Sequence, residues 1–188
     1  MRALVFVLLL GLGACREEAA QLTDPIALTP ESVGHFCQMN ILEHDGPKAQ
    51  IHLEGLPGAP LFFSQVRDAV AYTRLPEQTH RILAVWVNDM GAPGTDWGDP
   101  GAENWIALES AHLVVGSRQD GGMGAPELVP FSDPTAASAF ATQNGGAVMD
   151  VAAVPDSAVI APVTLGDASE DDADFDRRLR ALSDRKDR

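Results

Sequence analysis

The sequence has few of the residues that many classes of function need in number. Its 188 residues include 2 cysteines, 6% aromatic residues, and 13 lysines and arginines against 27 aspartates and glutamates. The formal net charge of −14 repels phosphate backbones, which argues against nucleic acid as a partner. No apolar run reaches the ~20 residues that a membrane-spanning helix requires. The 45% of hydrophobic residues nevertheless suffice for one domain with a modest core.

The sequence also lacks the motifs that mark several classes of enzyme. A glycine-rich phosphate loop after a predicted strand, a Gly-x-Ser-x-Gly segment and a His-Glu-x-x-His segment are all absent from it. Hydrolases and nucleotide-dependent enzymes would need these parts. We therefore expect a protein that is not an enzyme.

The first fifteen residues are typical of a bacterial lipoprotein signal. Arg2 precedes a short apolar run, and Leu12-Gly13-Ala14-Cys15 looks like a lipobox, in which the cysteine is acylated. We expect a signal peptide over residues 1–14, a lipid on Cys15, and a flexible tether over residues 15–31. An ordinary signal peptide with an incidental cysteine is the alternative.

This N-terminus predicts a periplasmic protein anchored to a lipid membrane. Arg16 is not the aspartate that usually retains lipoproteins in the inner membrane, which favours the outer membrane. The folded domain is expected over residues 32–165. Residues 166–188 alternate acids and bases and are expected to be disordered, with a solvated helix at 175–182 as the alternative.

Apolar patterning predicts the same order of elements twice. Within about residues 48–90 it predicts strands at 50–54 and 61–63, a helix capped by Ser64, and a strand at 82–87. Within about residues 105–152 it predicts strands at 112–116 and 127–131, a helix that begins at Ser132-Asp133-Pro134, and a strand at 147–151. A shift of 68 positions superposes Phe63-Ser64 on Phe131-Ser132. The fold is therefore predicted to be α+β with two tandem ββαβ units. A long segment, Asn88 to Asn104, connects the units and is expected to be a flap or a disordered loop.

Cys37 is the one thiol that remains if Cys15 carries lipid, and it lies in His35-Phe36-Cys37-Gln38-Met39. In an extended segment residues two apart share a face, so His35, Cys37 and Met39 would point to one side. Thiolate and thioether donors prefer Cu(I). The pattern predicts a Cu(I) site, with a buried cysteine and a core methionine as the alternative.

Met123 adds a third soft donor. Its neighbours Gly121, Gly122 and Gly124 prevent a regular core element, so its side chain is either exposed or bound to something. The tetrapeptide Met-Gly-Ala-Pro that begins at Met123 also begins at Met90. Met90 could likewise bind a metal, or it could make a hydrophobic contact. His35 or His112 is an optional nitrogen donor. The remaining histidines receive no role: His44, His52 and His80.

Taken together, these features resemble the NosL family of nitrous oxide reductase accessory lipoproteins. The motifs that carry the resemblance are the lipobox at Cys15, the segment from His35 to Ile41, Phe62-Phe63-Ser64, Trp86-Val87-Asn88-Asp89, Trp105-Ile106, Val115-Gly116-Ser117, and Gly122-Met123-Gly124 followed by Glu127 to Phe131. The family usually shows Cys-x-x-Cys-Gly-Met. Here Gly34 replaces the first cysteine and Gln38 the glycine, while Cys-x-Met is retained.

The resemblance implies a periplasmic copper chaperone that supplies Cu(I) for the copper-sulfide centre of nitrous oxide reductase. The implied partners are apo nitrous oxide reductase and a membrane ABC-type transporter complex of the same maturation system. The implied fold is similar to that of the organomercury lyases. Such a lyase needs paired thiols, which one mature cysteine does not supply. An adaptor lipoprotein without metal and a copper storage or sensing lipoprotein are the remaining alternatives.

Overall fold

The computed structural model describes residues 20–160. The expected signal peptide, lipid attachment at Cys15 and charged C-terminal tail lie outside the described residues. Within this range no helix is long and apolar enough to cross a membrane.

The described chain contains two successive ββαβ units, as predicted. The first unit comprises β1 (Ala49–Leu53), β2 (Leu61–Phe63), α1 (Val66–Arg74) and β3 (Ile82–Val87). A short strand that the sequence did not predict, β4 (Ile106–Ala107), follows the segment between the units. The second unit comprises β5 (His112–Val115), β6 (Val129–Phe131), α2 (Pro134–Asn144) and β7 (Ala147–Met149).

Each unit forms a small antiparallel sheet around its own first strand. The first sheet has the order β2-β1-β3-β4 and the second has the order β6-β5-β7. Phe63 pairs with Ala49 in the first sheet, and its counterpart Phe131 pairs with His112 in the second. The shift of 68 positions that superposes the two phenylalanines also carries β2 onto β6 and the first residue of α1 onto that of α2. These elements therefore confirm the predicted repeat.

One large hydrophobic cluster joins the two units. It contains buried side chains of the first unit, such as Ile51 and Val66, together with Leu113 and Leu128 of the second. A smaller cluster lies beneath α2, where Val114 and Phe131 are buried. Because the larger cluster draws on both units, residues far apart in sequence are held at fixed positions near the junction.

The domain begins earlier than the expected boundary at residue 32. Gln50 pairs through its side-chain amide with both backbone groups of Ile26, at 2.9 Å each, and Trp86 donates its indole N–H to the carbonyl of Thr23 at 2.7 Å. Leu28 is buried. Residues 21–28 are thus packed on the first sheet, which differs from the tether expected there, because buried polar side chains of the sheet require these backbone partners.

The segment between the units is also ordered by buried polar side chains. Asn88 donates to the carbonyls of Gly101 and Asn104 at 3.2 and 2.7 Å, and Asn104 donates to the carbonyl of Asp89 at 2.8 Å. The carboxylate of Asp89 accepts from the Ser132 hydroxyl at 2.5 Å. The asparagine bonds hold the loop together and the Asp89–Ser132 bond ties it to the second unit, so neither a disordered loop nor a free flap describes it.

Candidate metal centre

Cys37 lies in a tight turn and not in the extended segment that the sequence suggested. Gln38 donates its backbone N–H to the carbonyl of Gly34 at 2.8 Å, and Gly34 donates to the carbonyl of Met39 at 2.9 Å. Gln38 closes the turn with a φ of 56°, the one positive value among non-glycine residues of the described chain. A left-handed residue reverses the chain direction, so His35, Cys37 and Met39 do not share a face.

The turn is attached to β2, and Ser64, directly after that strand, contacts the sulfur. His35 donates its backbone N–H to the carbonyl of Phe62 at 2.6 Å, and this bond fixes the turn beside the strand. The hydroxyl of Ser64 donates to Cys37 Sγ at 3.9 Å. The predicted helix cap is therefore wrong in detail: Gln65 is the N-cap of α1, and Ser64 is directed to the sulfur instead.

His44 is the histidine that reaches Cys37. Its Nε2 lies 3.9 Å from Cys37 Sγ, and its Nδ1 lies 3.0 Å from the carbonyl oxygen of Gly122. A carbonyl can only accept, so Nδ1 carries the proton and Nε2 keeps its lone pair. A histidine with one ring nitrogen fixed on a carbonyl and the other free beside a thiol has the arrangement typical of a metal ligand.

The loop that carries Met123 is held against this histidine. A side-chain carbon at Gly122 would lie 2.5 Å from the Cβ of His44, so the loop approaches as closely as a glycine permits. Met123 donates its backbone N–H to the side-chain oxygen of Gln65 at 3.0 Å, and Ala125 donates to the same oxygen at 3.4 Å. The structure thus brings the loop of Met123, His44 and Cys37 to one place.

The methionines expected at the site remain accessible. Met39 and Met123 are each 44% exposed, and Cys37 is partly buried. Large apolar side chains rarely stay exposed in a group on a soluble protein. Three more exposed apolar residues lie in the same stretch as the turn: Val33, Phe36 and Leu42.

The other candidates have different surroundings. The ring of His35 packs against Phe63 and Tyr72, with centroids 5.7 and 5.4 Å away. His112 pairs with Asp150 at 3.8 Å on the second sheet. Met90 packs on the smaller hydrophobic cluster, which is the hydrophobic contact considered as the alternative for this residue.

Two buried ionisable side chains support the site from beneath. Lys48 donates through Nζ to the carbonyls of His44, Asp45 and Gly46, and burial lowers its pKa to about 8. Glu127 accepts the backbone N–H groups of Arg67 and Leu128 at 3.0 and 2.8 Å. Burial raises the pKa of Glu127 to about 8. Lys48 therefore fixes the backbone that carries His44, and the carboxyl of Glu127 lies under the loop of Met123.

We expect Gly34→Ala to weaken metal binding about tenfold while the fold is kept. A side-chain carbon at position 34 would overlap the Cys37 sulfur, so the sulfur must move away from His44. Gly98→Ala is the matched control, because the nearest atom to its added carbon is at 3.5 Å. The measurement is a competition titration of Cu(I) with a chelator. Equal affinities of the two variants would contradict this placement of the sulfur.

Sequence reasoning missed His44, Ser64 and Gln65 as residues of the site. No group of three or more histidine, cysteine, aspartate or glutamate side chains suited to a metal occurs within residues 20–160. Among the described residues, methionine is the soft side chain available to add to Cys37 and His44. Thiolate, imidazole and thioether form a soft donor set, which suits Cu(I) better than harder cations.

Comparison with known proteins shows which family this chain resembles. The NosL family model matches residues 25–159. The chain is 56% identical over 180 residues to the copper-binding lipoprotein NosL of Achromobacter cycloclastes, covering 95% of this chain and 93% of that protein. It is 31% identical over 149 residues to the protein of the same name from Stutzerimonas stutzeri, covering 78% of this chain and 75% of that protein.

A solved structure is similar as well. The crystal structure of the copper chaperone NosL from Shewanella denitrificans superposes with a TM-score of 0.65 at 29% identity, covering 71% of this chain and 96% of that one. The similarity therefore extends over the folded domain and includes the segments that carry Cys37, His44 and Met123. On these grounds the chain belongs to the NosL family.

Proposed function

We propose that this chain is a copper chaperone that carries Cu(I) between Cys37, His44 and Met123 and delivers it for assembly of the copper-sulfide centre of nitrous oxide reductase. One observation carries the proposal. Cys37 Sγ lies 3.9 Å from His44 Nε2, and the Nδ1 of the same ring is fixed on the carbonyl of Gly122, next to Met123. In this proposal His44 takes the nitrogen position for which His35 and His112 were considered. Met39, which is exposed at the end of the turn that carries Cys37, is a further thioether candidate.

The donor set suits a carrier more than a structural site. A structural metal is usually enclosed by four protein ligands, whereas transfer requires an open position at which a recipient's ligand can attack. Cys37 is partly buried and Met39 and Met123 are exposed, so a recipient's ligands could reach the ion. The reaction is an exchange of ligands in which the copper neither gains nor loses an electron. No covalent bond of a substrate changes, which supports a role other than catalysis.

The surface around the sulfur supports docking of a recipient. Phe36 and Met39 are exposed on the turn that carries Cys37, and Leu42 is exposed in the short 3-10 helix Ile41–Glu43 that follows it. Contact through such apolar groups would exclude water during transfer of the ion. We propose apo nitrous oxide reductase and the ABC-type transporter complex of the same maturation system as partners. A lipid on Cys15 would hold the chaperone at the periplasmic face of a membrane, where both would be within reach.

X-ray absorption at the copper edge tests the nitrogen ligand. The loaded wild-type protein is expected to show sulfur scatterers and one imidazole nitrogen. His44→Asn keeps a side-chain N–H for the Gly122 carbonyl but has no nitrogen at the Nε2 position, so we expect the imidazole signal to be lost. The affinity for Cu(I) should fall about 10–100-fold, which equals about 1.4–2.8 kcal/mol.

His35→Phe is the matched control for this experiment. It keeps an aromatic ring against Phe63 and Tyr72, and we expect both the nitrogen signal and the affinity to be unchanged. Loss of the signal in His35→Phe and its retention in His44→Asn would reassign the ligand to His35. Wild-type protein that takes up no copper would support an adaptor instead, and uptake of several ions per chain would support storage.

A further inference from the structure

We propose that Gln65 is a positioning residue that holds the Met123 loop in place to complete the copper ligand set. This inference rests on the proposed function. It concerns a residue whose hydrogen bonds go to the Met123 loop and to Asp68, and it assigns to the N-terminus of α1 the role of connecting the thiol with that loop.

The side chain of Gln65 is almost fully buried, at 2% exposure, and its amide binds both backbone groups and a carboxyl group. Its oxygen accepts the backbone N–H groups of Met123 and Ala125, and its nitrogen donates to Asp68 Oδ2 at 2.9 Å. The bond to Asp68 fixes which end of the amide faces the loop. Since that end is the oxygen, it accepts backbone N–H groups of the loop. The side chain of Met123 takes no part in these bonds and is partly exposed.

Ser64 and Gln65 are adjacent in sequence and bind different parts of the site. Ser64 donates to Cys37 Sγ, and Gln65 binds the backbone of Met123. The loop also fits closely over Gln65, because a side-chain carbon at Gly121 would lie 2.7 Å from the amide oxygen of Gln65 and 2.5 Å from Glu127 Oε2. The start of α1 therefore sets the distance between the thiol and the loop.

Substitution of Gln65 should consequently act on copper through Met123. Gln65→Leu fills a similar volume but leaves the partly buried N–H of Met123 and the buried N–H of Ala125 without their acceptor, so the loop would shift or loosen. Loss of such a supporting contact typically costs about 10–100-fold in metal affinity. We expect a decrease of that size for Gln65→Leu, with one sulfur fewer around copper by X-ray absorption.

A double-mutant cycle separates positioning from a general structural role. Cu(I) affinity is measured for full-length wild type, Gln65→Leu, Met123→Leu and the double variant. If Gln65 acts through Met123, the double variant binds as Met123→Leu does, because the ligand is already gone. Additive losses would overturn the proposal. Met90→Leu is the matched control, because Met90 begins the other Met-Gly-Ala-Pro segment of the chain. This variant should bind Cu(I) as the wild type does.

Two further readouts make the test independent of the proposed function. Amide hydrogen exchange of Met123 in the apo protein should accelerate at least about tenfold in Gln65→Leu while that of Met90 is unchanged. Equal exchange in wild type and variant overturns the positioning role whether or not copper binds. Gln65→Glu keeps an acceptor oxygen of the same reach but replaces the N–H donated to Asp68 with a second carboxyl oxygen, so it should slow the exchange of Met123 again while restoring only part of the affinity. If Gln65→Leu exchanges faster but the wild type binds no copper, the carrier function is rejected and the positioning role of Gln65 is kept.

Discussion

Replacement of Cys37 by serine is expected to lower the affinity for Cu(I) at least about 100-fold, which is about 2.8 kcal/mol or more. Serine has nearly the same shape, so the turn from Gly34 to Met39 should persist. Its hydroxyl is a hard, neutral donor, whereas Cu(I) prefers a thiolate. The measurement is competition against a chromogenic Cu(I) chelator under reducing conditions.

The other cysteine supplies the control for this experiment. In full-length protein prepared without its lipid, Cys15→Ser removes the second thiol of the chain. We expect its affinity to match that of the wild type. An affinity of Cys37→Ser within about threefold of the wild type would place the copper elsewhere and reject the site described above.

The second large effect concerns the pH dependence of stability. Burial raises the pKa of Glu127 from 4.5 to about 8, so the folded protein keeps a proton that the unfolded chain has released. Stability from this group is fully present below pH 4.5 and is lost as the pH rises toward 8. Burial lowers the pKa of Lys48 from 10.5 to about 8, which has the opposite sign: stability increases as the pH rises from 8 to 10.5. The free energy of unfolding should therefore pass through a minimum near pH 8.

Glu127→Gln removes the acidic side of this minimum. The amide keeps an oxygen for the N–H groups of Arg67 and Leu128 but carries no titrating proton. Between pH 5 and pH 8 we expect the wild type to lose about 2–4 kcal/mol more of its free energy of unfolding than the variant loses. Urea unfolding of the metal-free protein at a series of pH values measures this difference.

The exposed Glu103→Gln is the matched control for the same series. It removes one carboxylate from the surface, and its curve should follow that of the wild type. If the curves of Glu127→Gln and wild type are parallel, the buried carboxyl is already ionised in the folded state at pH 5.

Local patterns were sufficient for most of the fold. The strand at Ile82–Val87 is a continuous apolar run, and Pro134 after Asp133 marks the start of α2, so the bounds of both elements were predicted well. The strand Ile106–Ala107 was missed because two residues carry no periodicity. The strand ending at Val151 was predicted too long, since Val151–Ala153 forms a 3-10 helix.

The site could be predicted only in part. Cys37 and Met123 stood out because their residue types are unusual in their surroundings. His44 did not, because its role depends on a contact with Gly122 across 78 residues and on a turn closed by a strained glutamine. Gln65 carries no signal in the sequence beyond its place next to the predicted cap, Ser64. A sequence shows which side chains could bind a metal, but a long-range backbone contact decides which of them meet.

The position of the site between the two repeats has a mechanical consequence. Cys37 precedes the first unit, whereas Met123 lies between the first two strands of the second. A metal ion bound to both side chains would cross-link the two ββαβ units and would oppose their separation. At a concentration a thousand times its dissociation constant it would add about 4 kcal/mol to the stability. A loaded molecule should thus withstand heat and proteolysis that an empty one does not, and release of the ion would remove that added stability.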